Sequence, residues 1–250
     1  TRQNLPALVS VMLANNETGV IQPVAKIASV AHSHNAIVHC DAVQALGKLP
    51  VDMAELGVDL MTVSAHKIGG PKGIGALAIH SRTEIGAQLV GGGQENRRRA
   101  GTENVSGAVG FAETCVEVSK NRDEIDRILY LRNRLEKQLI SEVPDVEIHG
   151  RGSPRLVNTS CVRLVGMPAE TQVIALDLAG VAVSAGAACS SGKVASSHVL
   201  RAMGVEPIAA DESIRVSLGW ATTEKEIEHA TTAWLALYNQ IQNKSGKTAA

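Results

Sequence analysis

Four short and almost unbroken apolar runs constrain this chain most: Leu8–Leu13 (LVSVML), Ile37–Asp41 (IVHCD), Leu60–Ser64 (LMTVS) and Gly75–Ile79 (GALAI). A strand with one wet face alternates polar and apolar residues, so continuous runs describe strands buried on both faces. Between the first two, Pro23–His34 has helical spacing and a proline in its first turn. Strands alternating with helices predict an α/β chain whose parallel-rich sheet is covered on both sides.

The second half has a different rhythm. Helices are predicted over Asn104–Ser119 and from Arg122 to Glu142, the latter with Ile125, Ile128, Leu129, Leu135 and Leu139 on one buried stripe. Strands are predicted near Val157–Leu164, Val181–Ser184 and Ile214–Leu218. Thr223 and Glu226 form a capping box opening a last helix, with Ile227, Trp234, Leu237 and Ile241 on its apolar face and a frayed tail from Asn243. A hinge near Lys120 therefore separates a large domain, 1–120, from a smaller α+β carboxy-terminal domain, 121–250. The start at Thr1, directly before an apolar segment, reads as a cut inside a longer protein with no leader sequence.

Composition excludes several functions. The net charge is −1 over 250 residues and aromatic residues make up 2%, so neither a phosphate-backbone field nor base-stacking platforms are expected, and no nucleic-acid partner. No window approaches 18 consecutive apolar residues, so no membrane span is expected. Cys40, Cys115, Cys161 and Cys189 form neither a disulfide scaffold nor a C-x-x-C pair, which suits a reducing, cytoplasmic setting. His32, His34, His39, Cys40 and Asp41 are close in sequence, but their directions diverge and no metal site is expected.

The chemistry concentrates at predicted strand ends. Asp41 ends one strand and Gln44 follows it; Ser64-Ala65-His66-Lys67 ends another and leads into the glycine-rich turn Gly69–Gly75. Ligands of α/β sheets bind beyond the carboxyl ends of strands. A carboxylate, an amide, a hydroxyl, an imidazole and an amine there suit pyridoxal phosphate, which needs a Schiff-base lysine, an acid beside its pyridine nitrogen and donors for its phosphate. The competing assignment makes Lys67 a surface lysine and Asp41 a cap. Gly91–Thr102, with Arg97, Arg98 and Arg99, is an anion-binding loop or a solvated basic one. Neither glycine-rich segment has Walker A spacing. Cys189, among tiny residues from Ser184 to Gly192, is a candidate reactive thiol. Arg215, inside an apolar strand, is either a bidentate carboxylate binder or half of a salt bridge.

Taken together, these motifs resemble the cysteine desulfurases, pyridoxal-phosphate enzymes of the class V aminotransferase group on the fold-type I scaffold. Asn15-Asn16-Glu17-Thr18-Gly19, Asp41-Ala42-Val43-Gln44, Ser64–Lys67, Gly91–Thr102, Ala188–Ser191 and Ser213–Gly219 occur in the family's order across about residues 5 to 240. The resemblance implies that Lys67 binds pyridoxal 5'-phosphate covalently and moves a substrate proton. It implies that Asp41 pairs with the pyridine nitrogen, Asn16 and Gln44 lie at the ring's phenolic side, and Ser64 and His66 hold the phosphate. Thr102 would reach the phosphate of a second subunit in a homodimer, Arg215 would hold the carboxylate of L-cysteine, and Cys189 would accept its sulfur as a persulfide. A sulfur-acceptor or iron–sulfur scaffold protein would be the partner, in iron–sulfur cluster assembly or thiolation. Relatives carry an aromatic near Gly69, a glycine near Ala65, and a further amino-terminal segment. Selenocysteine lyase, or a catalytically silent partner protein, are the alternatives the same motifs allow.

Overall fold

The computed structural model describes residues 7–120, 122–186 and 196–248. The chain divides into two compact units, Thr1–Ala14 with Gln22–Arg122, and Asn15–Ile21 with Asp123–Ala250.

In the first unit β1 (Leu8–Met12), α1 (Val24–Ser33), β2 (Ile37–Asp41), α2 (Met53–Leu56), β3 (Leu60–Ser64), β4 (Gly75–Ile79) and α3 (Val105–Lys120) follow in order. The sheet order is β1-β2-β3-β4. The first two pairs are parallel, with Met12 beside Asp41 and Asp41 beside Thr62. α1 buries Val24, Ala28 and Ala31, one turn apart each, and ends where Asn35 takes a left-handed φ of 58°. α2 is capped by Asp52, whose Oδ1 accepts the amides of Ala54 and Glu55, and closes on Gly57 at φ 65°.

Asp59 ties these layers together. It is buried and accepts from the Val38 amide (2.9 Å) and Arg82 (3.3 Å), and bonds His32 Nε2 (2.7 Å). Burial pushes its carboxyl up, but the bonds from His32, Val38 and Arg82 outweigh this and hold it below the usual range. His39 bonds Ser10 and Thr62. Among the described residues no group of three or more His, Cys, Asp or Glu is placed to hold a metal ion.

The expected sheet, covered on both faces, is corrected at its end. β4 pairs antiparallel with β3 and is exposed along Gly75–Ala78. A parallel return takes about a dozen residues or more, and the chain from Ser64 to Gly75 is too short for one. The glycines of that turn are structural: Gly69 and Gly73 have φ of 87° and 80°, and a Cβ on Gly75 would meet the Val63 carbonyl at 2.6 Å.

The second unit contains α4 (Arg122–Glu142), β5 (Glu147–His149), β6 (Thr159–Arg163), α5 (Ala169–Leu178), β7 (Ser184–Ala185), α6 (His198–Ala202), α7 (Pro207–Asp211), β8 (Ser213–Ser217) and α8 (Glu224–Thr248). Its sheet, β5-β6-β8-β7, is antiparallel throughout. Leu131, Leu135 and Leu139 of α4 pack with Val162, Ile214 and Trp234 in its core. The α4 stripe thus runs through Ile128 and Leu131, and the expected Ile125 and Leu129 are only half-buried beside it. The capping box of α8 forms as expected: Thr223 N donates to Glu226 Oε2 (2.7 Å) and Glu226 N to Thr223 Oγ1 (3.3 Å). α8 continues to Thr248, past the expected fraying point.

Asn15–Ile21 pairs with the approach to β6, through an isolated antiparallel bridge of Val20 with Arg155. The Leu156 amide donates to Gly19 O (2.8 Å) and the Ile21 amide to Pro154 O (2.9 Å). Arg155 forks onto both carboxylate oxygens of Glu136 on α4 (2.8 and 2.9 Å), and Ser160 Oγ adds a third bond (2.8 Å). Burial pushes the Glu136 carboxyl up, but Arg155 and Ser160 outweigh it and hold it below the ordinary 4.5. Among the described residues no helix is long and apolar enough to cross a membrane.

Candidate active-site residues in each unit

In the first unit, the carboxyl ends of the adjacent parallel strands β2 and β3 bring Asp41 and Ser64–Lys67 to one sheet edge. Ser64 Oγ and His66 Nδ1 lie 2.8 Å apart. Ala65–Ile68 is a single 3-10 turn, with His66 and Lys67 exposed and only Ala65 buried. Asp41 is half-buried and its Oδ1 accepts the Val43 amide at 2.9 Å, which shapes the turn carrying Gln44. The next helix begins only at Met53, so this bond shapes a turn and is not the helix cap of the competing assignment; it occupies one of the two carboxylate oxygens.

Thr102 is exposed, beyond a second 3-10 turn at Gln94–Arg97. Glu95, Asn96 and Arg97 in this loop have φ of 48°, 53° and 64°, a region side chains rarely enter, and Gly101 has φ of 100°.

In the second unit, Arg215 lies mid-β8 opposite Cys161 and Ser184. Its Nη1 donates to the Asn16 carbonyl (2.9 Å) and its Nη2 to Ser184 Oγ (3.1 Å), while Nε is buried without a hydrogen-bond partner. The salt-bridge assignment is not met: among the described residues no carboxylate pairs with Arg215. The guanidinium is thus half-buried and, among the described residues, held by neutral groups alone. Asn16 thus contributes its backbone to Arg215. Its neighbour Asn15, not singled out from sequence, shapes the loop by accepting the amides of Glu17 and Thr18 at 2.9 Å.

Three cysteines are poor nucleophiles. Burial, and then Asp41, push Cys40 up to about 11. Burial, and then Glu17, push Cys161 up to about 12 against the pull of Arg215 and Arg155. Burial also raises Cys115. Cys189 lies outside the described residues.

The sequence pattern of the family described as aminotransferase class-V matches residues 2–229. The chain belongs to the class-V aminotransferase family. Within it, the chain is 44% identical over 236 residues to a cysteine desulfurase of Klebsiella pneumoniae, covering 94% of this chain and 59% of that protein. It is 44% identical over 222 residues to cysteine desulfurase 2 of Trichormus variabilis, covering 89% and 56%. A solved NifS-like protein from Rickettsia africae matches with a TM-score of 0.85 at 36% identity, over 93% of this chain and 62% of that one. The fold is that of the family's α/β fold-type I scaffold. The chain spans somewhat more than half the length of these curated class-V relatives.

Proposed function

We propose that this chain carries the machinery of a cysteine desulfurase, converting L-cysteine to L-alanine and leaving the sulfur on Cys189 as a persulfide. The observation that carries this reading is the Arg215 fork, fixed by the Asn16 carbonyl and Ser184 and lacking a carboxylate partner among the described residues. That fits an α-amino acid substrate, and desulfurase relatives at 44% identity favour cysteine.

The first unit's donor set fits pyridoxal 5'-phosphate: an amine on Lys67, a free acid oxygen on Asp41, and a paired hydroxyl and imidazole on Ser64 and His66. When bound, the cofactor supplies an electron sink for the substrate's Cα–H bond. Lys67 Nζ anchors it and takes the Cα proton. Asp41 keeps the pyridine nitrogen protonated, Gln44 and Asn16 serve its phenolic side, and Ser64 and His66 hold its phosphate. Thr102 serves the phosphate of a second copy in a homodimer. Cys189 enters as a thiolate; its Sγ forms an S–S bond to the substrate sulfur while the Cβ–S bond breaks, and the carbon skeleton leaves as alanine after reprotonation. On this reading residues 1–120 form the cofactor-holding domain and 121–250 carry the carboxylate clamp and the sulfur acceptor. The persulfide then passes, in the cytoplasm, to a sulfur-acceptor or iron–sulfur scaffold protein.

The test supplies pyridoxal phosphate and cysteine to the purified protein and measures alanine release with mass mapping of Cys189. Equal amounts of alanine and of Cys189 persulfide in the first turnover are expected; persulfide on Cys40 or Cys161 instead would sink the assignment. Arg215→Lys keeps the charge but loses the fork, and is expected to raise the cysteine KM roughly 10- to 100-fold. An unchanged KM would remove Arg215 from the substrate site.

A further inference from the structure

The Asn15–Gly19 stretch contains a group with no part in the chemistry above. Glu17 is only 2% exposed. Its carboxylate forms no ion pair among the described residues and accepts a hydrogen bond from the hydroxyl of Ser197, 180 positions along the chain. Burying an acid without a counter-cation is costly unless hydrogen bonds satisfy it, and among the described residues the Ser197 hydroxyl supplies one.

Ser197 is itself buried, and its Oγ accepts the Leu200 amide at 3.0 Å, capping α6. Gly186, just beyond β7, sits against the same pair: a Cβ there would lie 3.2 Å from Ser197 Cβ and 3.4 Å from Glu17 Oε2. The two stems of the β7–α6 connection therefore lie side by side at one carboxylate, which bonds the Ser197 stem and packs against the Gly186 stem. Ser184, two residues before Gly186, receives Arg215 Nη2, and Arg215 Nη1 donates to the carbonyl of Asn16, the residue before Glu17. The contacts close a ring within the second unit, through Asn16, Glu17, Ser197, Gly186, Ser184 and Arg215.

We propose that Glu17 is a positioning residue for sulfur transfer: it locks the stems of the segment bearing Cys189 to the arginine that receives the substrate carboxylate. This rests on the desulfurase reading. Glu17 is buried and acts through Ser197, the described residue from which α6 starts. Its loss should slow transfer without weakening the hold on cysteine.

The experiment compares Glu17→Ala, Glu17→Gln and Ser197→Ala with the native chain supplied with pyridoxal phosphate. A hydrogen bond to a buried charge supports an expected drop of about tenfold or more in the kcat of Cys189 persulfide formation for Glu17→Ala, with KM for cysteine within about twofold. Glu17→Gln, whose amide oxygen still accepts the Ser197 hydroxyl, is expected to recover most of the rate. A second readout needs no cofactor. Amide exchange at Leu200 should quicken about tenfold in Glu17→Ala and Ser197→Ala, while the core amide of Leu131 stays unchanged. Native kcat and native Leu200 exchange in Glu17→Ala would overturn the proposal, as would Leu131 quickening in step with Leu200, which marks general loosening. If the native chain itself forms no persulfide, the desulfurase reading fails. The Leu200 exchange then still decides whether Glu17 fixes the stems.

Discussion

Lys67→Ala is expected to abolish alanine release, a loss of about 10⁴-fold or more, because in the proposed reaction one amine serves both as covalent anchor and as proton carrier. The same variant should unfold in urea within about 0.5 kcal/mol of the native protein, since Lys67 is exposed on a short 3-10 turn. That pairing separates chemistry from folding. Lys67→Arg keeps the charge and should be equally inactive, because a guanidinium neither forms a Schiff base nor gives up a proton at neutral pH. Visible absorbance after adding pyridoxal phosphate gives an independent check: a band present in the native chain and missing in both variants. A variant with more than a tenth of native turnover would remove Lys67 from the reaction.

The second large effect is on stability. Glu136→Ala leaves Arg155 buried without its fork partner and removes the acceptor of the Ser160 hydroxyl. Removing one side of a buried ion pair costs about 3–5 kcal/mol, a large share of what a domain has. Urea unfolding at neutral pH should show this loss in the second unit. The sign with pH follows from the depressed carboxyl. A group whose folded value lies below its unfolded one contributes fully above the unfolded value and loses that contribution as the pH falls towards the folded one. Native stability should therefore decline on acidification from about pH 5 downwards, starting near the ordinary 4.5 of glutamate. Glu136→Ala should lack this part of the acid dependence. Identical acid limbs in the two proteins would show that another group governs the decline.

Local information carried much of this. β2, β3 and β4 have the bounds that their apolar runs indicate. The Thr223–Glu226 box is visible because both partners lie within one turn. The ends of β2 and β3 were legible as a candidate site because strand ends are where α/β sheets bind ligands. Other features depend on residues far apart in sequence. The direction of β4 is a matter of connection length, which the apolar pattern does not encode. The central place of Leu131 on α4 depends on what faces it, and Leu129 has the same composition and a poorer angle. The Glu17–Ser197 bond spans 180 positions and the Arg215–Asn16 bond 199, so no local pattern announces either. For Arg215, sequence left a substrate clamp and a salt bridge equally open. Among the described residues its Nη atoms have only neutral acceptors, which is why the clamp is the assignment proposed.

The seven residues Asn15–Ile21 belong to the second unit, although the chain on both sides of them belongs to the first. This has a consequence in time. During synthesis, the strands and helices from Leu8 to Lys120 leave the ribosome well before Arg215, which follows Asn16 by 199 residues. At roughly 5–20 residues per second the interval is on the order of 10–40 s. Until Leu156 is made the loop that will carry Asn16 and Glu17 lacks the approach to β6, and until Arg215 is made it lacks β8, while Leu13 and Gln22 at its base can already join through their backbone bond. The nascent chain can thus pair β1 to β4, with Asp41 and Lys67 at their edge, before β8 brings Arg215 to the Asn16 carbonyl.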